Sequence, residues 1–225
     1  MGAVLAMKPI LFCCGAAAFL AACGPMAEGT TAQKLTQLAV DRVSKGTPAP
    51  TAPSGSASMT RADIEASPVP IMFMIAQDLE GAAVVQLAAE NGRRQTWASP
   101  DGITVTTLDG IITSTRGFAE DLFASDPENT LSVIRAGGGV SEKVVEFLDS
   151  NDRIQSTTLR CEVTAIETLT LEIVEIAYET TRYKEHCIGG DLDHINYYWA
   201  EDDGNIVQTQ QWMSFSVGYL VTQFL

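Results

Sequence analysis

Apolar and polar positions along the chain follow two regimes that meet near residue 70. From Ile71 onward, short apolar or alternating runs are separated by tight-turn dipeptides. Ile71 to Ile75 is wholly apolar, Ala82 to Ala89 leads into Asn91-Gly92, and Arg93 to Ala98 follows. Asp101-Gly102 precedes Ile103 to Leu108, and Asp109-Gly110 precedes Ile111 to Thr115. Asn-Gly and Asp-Gly favour two-residue hairpin turns because both central positions adopt positive φ. Three such dipeptides at close intervals predict an antiparallel meander. Val140 to Leu148 and Gln155 to Ile166 flank Asn151-Asp152 and predict another hairpin.

The run Thr168 to Arg182 reads as one long strand with a defect. Leu169, Leu171 and Ile173 share one parity, whereas Val174, Ile176 and Tyr178 share the other. A strand changes faces only by inserting a residue, so the pattern predicts a β-bulge near Ile173-Val174. Helical signals are few. Thr60 with Asp63 three positions on forms a capping pair that starts a short helix, which Pro68 and Pro70 stop. Gly117 to Phe123 is expected to make a second short helix over one end of the sheet, closed by Asp126-Pro127. Gly137-Gly138-Gly139 reads as a loop, and no Gly-Lys-Ser/Thr follows it as a phosphate cradle requires. The expected fold class is mainly β: antiparallel curved sheets, sandwich or half-barrel-like, with a few short helices, over residues 59–225.

One stretch recurs. Trp97 to Thr107 and Trp199 to Thr209 both read W-A-x-x-D-G-x-x-V-x-T, and each precedes a glycine and an apolar strand. This echo predicts two related β-units, each with a tryptophan just before an Asp-Gly turn; similar hairpin chemistry arising by chance is the competing explanation.

Before residue 70 the pattern is different. Lys8 precedes an unbroken run of apolar and small residues from Pro9 to Ala22, the layout of a secretory signal peptide over residues 1–22, with Met7-Lys8 as a natural start. The run is shorter than the ~20 apolar residues a bilayer span needs. It ends in Leu20-Ala21-Ala22-Cys23, which resembles the lipobox of bacterial lipoprotein precursors. The resemblance implies that Leu20, Ala21 and Ala22 are recognised by the signal peptidase. It also implies that the Cys23 thiol carries a diacylglycerol and, after cleavage, an acyl chain, which would be the only covalent addition. Gly24, where aspartate would favour the inner membrane, points to an outer-membrane anchor facing the periplasm. Thr31 to Val43 has weak helical periodicity, and Gly46 to Ser58 is Pro-, Ala- and Ser-rich, so residues 23–58 read as a lipidated helix and linker.

Charge narrows the partners. The net charge is −14, and loss of Lys8 with the leader makes the mature chain one unit more negative. Such a chain is a poor candidate for binding nucleic acid or an anionic membrane surface, since both require positive charge. Of the five cysteines, Cys13 and Cys14 leave with the leader and Cys23 is lipidated. Cys161 and Cys187 remain in an oxidising compartment and are expected to form a disulfide bridging two strands.

No catalytic or metal site emerges. His186-Cys187-Ile188-Gly189-Gly190-Asp191-Leu192-Asp193-His194 is rich in ligand atoms but matches no metal spacing, and it reads as a polar loop between strands. Glu162, Glu167, Glu172 and Glu175 fall where strand faces meet water. Trp97, Trp199 and Trp212 are candidates for stacking on sugar rings, although tryptophans beside tight turns more often pack in the core or its rim.

Five segments carry a family resemblance: Met59 to Glu65, Arg94 to Trp97, Thr113 to Phe118, Asn196 to Trp199, and Gln210 to Met213 with Gly218 to Leu220. They resemble the YjbF/GfcB lipoproteins, and the likeness runs from about Thr60 to Leu225. It implies a mostly β outer-membrane lipoprotein from a group 4 capsule or exopolysaccharide locus. The expected role is a non-enzymatic accessory one in polysaccharide export. The expected partners are an outer-membrane β-barrel and a periplasmic protein of the same locus, with the polysaccharide itself a further candidate. A polysaccharide-binding module and a periplasmic carbohydrate-active enzyme are the alternatives.

Overall fold

The turn dipeptides of the first half reverse the chain where expected. In the computed structural model, which describes residues 60–148, 151 and 153–225, β1 (Ile71–Ala76), β2 (Gly81–Asn91), β3 (Arg94–Ala98), β4 (Thr104–Leu108) and β5 (Ile111–Arg116) form the meander. The β4–β5 turn has both central residues at positive φ, Asp109 at 45° and Gly110 at 89°. The leader, Cys23 and the helix and linker expected over residues 23–58 lie outside the described residues.

After β5 come β6 (Leu122–Ser125), a helix, then β7 (Gly138–Leu148), β8 (Ile154–Ile173), β9 (Ile176–Gly189), β10 (Leu192–Ala200), β11 (Ile206–Ser214) and β12 (Gly218–Phe224). All twelve strands belong to one antiparallel sheet in the order β5-β4-β3-β2-β1-β12-β11-β10-β9-β8-β7-β6. The sheet curls until its two edges meet. Across that seam Thr115 Oγ1 accepts from the Leu122 amide at 3.0 Å, and Arg116 donates to the carbonyls of Leu122 and Phe123 at 3.2 Å each. Edge strands expose unpaired backbone groups, and here side chains satisfy part of them. The result is a nearly closed barrel, the half-barrel form of the expected class.

β1 is buried at every position. One face, Met72, Met74 and Ala76, lines the barrel interior with Trp97, Leu159, Met213 and Leu220. The other, Ile71, Phe73 and Ile75, is covered from outside by Ile64 and by the β8–β9 tip residues Leu171, Ile173 and Val174. A strand covered on both faces reads as a continuous apolar run, which is how Ile71 to Ile75 appears in the sequence.

α1 (Arg61–Glu65) starts at the expected capping box. The Thr60 hydroxyl accepts from the Asp63 amide, and the Asp63 carboxylate accepts from the Thr60 amide at 2.9 Å. α2 (Glu128–Arg135) fills the gap left by short β6, and its Leu131 and Ile134 pack into the interior against Leu108, Ile111 and Tyr198.

Three local expectations are corrected. No bulge occurs at Ile173-Val174: the chain turns there. Val174 and Glu175, at φ 41° and 66°, are the two central residues of a hairpin in which Ile173 pairs with Ile176. A two-residue turn puts odd positions before it and even positions after it on one face, so the parity switch is a reversal. The real irregularity of β8 lies between Ala165 and Glu167. Gly117 to Phe123 is not helical. Asp121 reaches back to accept from the Gly117 and Phe118 amides and the Thr115 hydroxyl, and Leu122 onward pairs with β7. The helix follows Asp126-Pro127 instead of preceding it. Gly138 and Gly139 belong to β7, opposite Thr164 and Val163.

The echo is real at the turn. Ser99 donates to the Ile103 carbonyl at 2.9 Å and Gly102 to the Ser99 carbonyl at 3.1 Å. Glu201 and Gly204 repeat both bonds, to Asn205 and Glu201, at 2.9 Å each. Beyond the turn the units diverge. An irregularity at Trp199/Ala200 sets Trp199 opposite Gln208, whereas Trp97 faces Val105. Trp97 therefore packs in the interior and Trp199 on the outer face under the β8–β9 tip.

Cys161 and Cys187 are directly paired across β8 and β9 and are joined by a disulfide, both fully buried. Their sequence separation of 26 makes the chain-entropy gain about 3.5 kcal/mol. Replacing both by alanine is expected to lower stability by about that amount at 25 °C, read from urea unfolding. A loss under about 0.5 kcal/mol would mean that the strand pairing alone already restricts the unfolded chain.

Candidate functional site

Alternating residues of β7 to β10 project into the barrel, and register decides which of them meet. Lys143 comes from β7, Glu185 from β9, and Asn196 and Tyr198 from β10; Thr130 enters from α2. They converge on one carboxylate. Glu185 Oε2 accepts from Lys143 Nζ at 2.6 Å, Asn196 Nδ2 at 2.7 Å and the Tyr198 hydroxyl at 2.7 Å. Its Oε1 accepts from the Thr130 hydroxyl at 2.7 Å. Glu185 has no exposure and Lys143 is 5% exposed.

Burial pushes the Glu185 carboxyl up. The Lys143 charge and the hydrogen bonds from Lys143, Asn196 and Thr130 outweigh it and hold the group at about 2. Burial first, and then the Glu185 charge, raise the Tyr198 phenol well above its ordinary value. Asn196 also ties the cluster to the sheet by accepting from the Trp212 amide at 2.8 Å. This carboxylate accepts four hydrogen bonds from protein donors and has no exposure, so it is not presented to a substrate from solvent. The arrangement is built to hold five elements together.

His194 lies beside the cluster. Its ring stacks on Trp212 at 4.9 Å between centroids, and its Nδ1 is buried without a hydrogen-bond partner among the described residues. It borders a small internal cavity of about 20 Å³ shared with Lys143, Asn196 and Trp212. Burial and then the Lys143 charge lower its pKa to about 4. The sequence window His186–His194 is thus the β9–β10 hairpin itself, and the strands run up to the Gly190-Asp191 turn. Its two histidines separate: His194 points inward, and His186 bonds Asp193 on the outside at 2.7 Å. Cys161, Cys187 and Glu185 lie close enough to share an ion. Both sulfurs are bound to each other, however, and a disulfide sulfur is not the thiolate a metal needs.

Glu162, Glu167, Glu172 and Glu175 are exposed, as their spacing indicated. Trp97 is buried, donates from Nε1 to the Thr107 hydroxyl at 3.1 Å and meets Phe224 edge-on at 5.7 Å. Trp199 is buried beside Tyr197. Trp212 is half-buried and contacts Phe147 and the 76% exposed Phe215 edge-on.

A larger concavity opens at the barrel end where the β2–β3, β4–β5 and β10–β11 turns meet, with a volume of about 610 Å³. Asp109 organises it. Its carboxylate pairs with Arg93 and with Arg135 Nη2 at 2.7 Å, and Arg93 also reaches Glu128 at 2.9 Å. Hydrogen bonds from Arg93, and then from Arg135, keep the Asp109 carboxyl below its ordinary range against the opposing effect of burial. No sequence signal linked these residues, which come together only when the β2–β3 and β4–β5 turns meet α2 at one rim.

Together, a nearly closed antiparallel barrel, a buried ion cluster and a disulfide define a mainly β domain. The sequence matches the family described as group 4 capsule polysaccharide lipoprotein gfcB, YjbF over residues 36–225, so the chain belongs to that family. The crystal structure of the hypothetical lipoprotein YmcC from Escherichia coli K12 shares the fold. It superposes with a TM-score of 0.63 at 18% identity, over 80% of this chain and 97% of that one. No curated protein matches. Among the described residues no helix is long and apolar enough to cross a membrane.

Proposed function

We propose that this chain is an outer-membrane lipoprotein that assists export of a capsule or exopolysaccharide without catalysing a reaction. It is tethered on the periplasmic face by lipid on Cys23, and it works by docking to protein partners. The observation that carries the reading is the family match across residues 36–225. Leu20-Ala21-Ala22-Cys23 supplies the anchor. Two acyl chains suffice for a lasting tether, because each buried CH₂ contributes ~0.8 kcal/mol. The non-catalytic part is supported by the Glu185 cluster, whose fully buried carboxylate is held by four protein donors. The partners of the reading are an outer-membrane β-barrel and a periplasmic protein encoded at the same locus.

The test is surface and secreted polysaccharide in a deletion strain complemented with wild type or Cys23→Ala. Deletion is expected to lower polysaccharide at least severalfold, and Cys23→Ala is expected not to restore it. Unchanged polysaccharide while the locus is expressed would remove the export role. Full rescue by Cys23→Ala would remove the anchor from it.

A further inference from the structure

The cleft of about 610 Å³ at the turn-rich end of the barrel is within the size range of small-ligand sites, roughly 300–1,000 Å³. Its hydrogen-bonding capacity is only partly used. Arg135 spends Nη2 on Asp109, and its Nε and Nη1 have no partner among the described residues. Gln95 uses its amide nitrogen on Glu90, and Asn205 uses its own on Glu201, so both amide oxygens remain available as acceptors. The Tyr178 hydroxyl is likewise without a partner among the described residues. The wall therefore presents donors and acceptors in comparable number, as a ligand bearing many hydroxyls requires, since each hydroxyl both donates and accepts.

The charges in the cleft oppose one another. Arg93 has Nε and Nη2 on Asp109 and Nη1 on Glu128. The rim also carries Asp203, and the chain as a whole is at −14. A polyanion would meet one half-used guanidinium inside a repulsive field. The site is also fixed in shape. The Arg135 stem lies across Gly204, where an added Cβ would stand 2.7 Å from Arg135 Cγ, and Gly204 has φ 85°. The Asp-Gly turn of the second echo unit thus serves as the bed for the arginine.

We propose that this cleft binds a segment of neutral oligosaccharide. Arg135 and Tyr178 would donate to sugar hydroxyls, and Gln95 and Asn205 would accept from them. This goes beyond the export reading, in which protein partners do the docking, and it does not depend on that reading.

The test is isothermal titration calorimetry of the full-length protein, held in a zwitterionic detergent without a sugar headgroup. The probes are neutral hexasaccharides of glucose, galactose and mannose, with a galacturonic acid hexamer beside them. Saturable binding of at least one neutral hexamer is expected. Arg135→Met keeps the stem on Gly204 and should weaken that binding about tenfold. Tyr178→Phe removes one hydroxyl and should weaken it about threefold. Unchanged far-UV dichroism and melting temperature confirm that both variants fold. No binding of any neutral hexamer overturns the proposal, as does tighter binding of the galacturonate hexamer. Neutral binding that both cleft variants leave intact and Trp212→Ala abolishes would also overturn it, by placing the sugar on the Trp212–Phe215 aromatics. None of these results bears on the deletion-strain experiment, which alone decides the export role.

Discussion

Glu185→Gln is expected to lower the unfolding free energy at pH 7 by about 3–5 kcal/mol, the usual loss when one partner of a buried ion pair is removed. The substitution is nearly isosteric, so little of this is packing. The carboxylate now receives Lys143, Asn196, Tyr198 and Thr130. A glutamine offers one carbonyl oxygen and turns an NH₂ toward groups that are themselves donors. Lys143 is left as a buried ammonium, 5% exposed, with no counter-charge.

Lys143→Met should cost less. It leaves a carboxyl that still holds three neutral donors and can take up a proton. The double variant Lys143→Met/Glu185→Gln should be clearly less damaged than the two single losses predict, with a coupling above about 1 kcal/mol. Urea unfolding of the four proteins measures this cycle. Additive losses each under about 1 kcal/mol would show that the pair is solvated and that the barrel interior is looser than the distances indicate.

The meander was legible because turn chemistry is local. Asp109-Gly110 declares a hairpin through the φ values it tolerates, and the structure uses both. The β8–β9 hairpin was hidden for the complementary reason. Its turn is Val174-Glu175, and a β-branched residue at φ 41° carries no turn signal. Tertiary packing holds it there, with Leu171, Ile173 and Val174 pressed on the outer face of β1 and β12. α2 did leave traces. Pro127 precedes its first turn, Asp126 accepts from the Glu128 amide, and Leu131 and Ile134 share a face. Eight residues between two stronger turn signals are too few for periodicity to stand out.

The ion cluster was illegible in principle. Lys143 and Glu185 are 42 positions apart, and each has charged or polar neighbours that face the other way, Glu142 on β7 and Lys184 and His186 on β9. Only the stagger of β7, β8, β9 and β10 tells Glu185 from a solvated glutamate such as Glu162. The disulfide was the exception among long-range contacts, since Cys161 and Cys187 are the two cysteines left once Cys13, Cys14 and Cys23 are assigned to the expected leader and lipobox. The cleft falls between these cases. Its Asp-Gly turns were recognised, but not that the Asp109 and Asp203 turns share one rim with Arg135.

Acid should lower the stability of the fold in two stages, the upper set by His194 and the lower by Glu185. The folded state holds His194 neutral, with its pKa lowered from 6.5 to about 4 by burial and the Lys143 charge. The unfolded chain takes up that proton as pH falls below 6.5, and the folded state does not until about 4. Stability from this group is therefore complete above pH 6.5 and is lost between 6.5 and 4, by about 3 kcal/mol. Glu185 works in the next window down. Its folded pKa of about 2 lies below the ordinary 4.5, so its contribution is present above 4.5 and is lost as pH falls toward 2.

His194→Phe keeps an aromatic ring on Trp212 and removes the titration. Urea midpoints of this variant should be nearly flat between pH 7 and 4.5 and then fall with the wild type. A wild type that shows no loss across that upper window would mean that His194 is protonated in the folded barrel. A variant that keeps the wild-type slope would assign the upper stage to some other group.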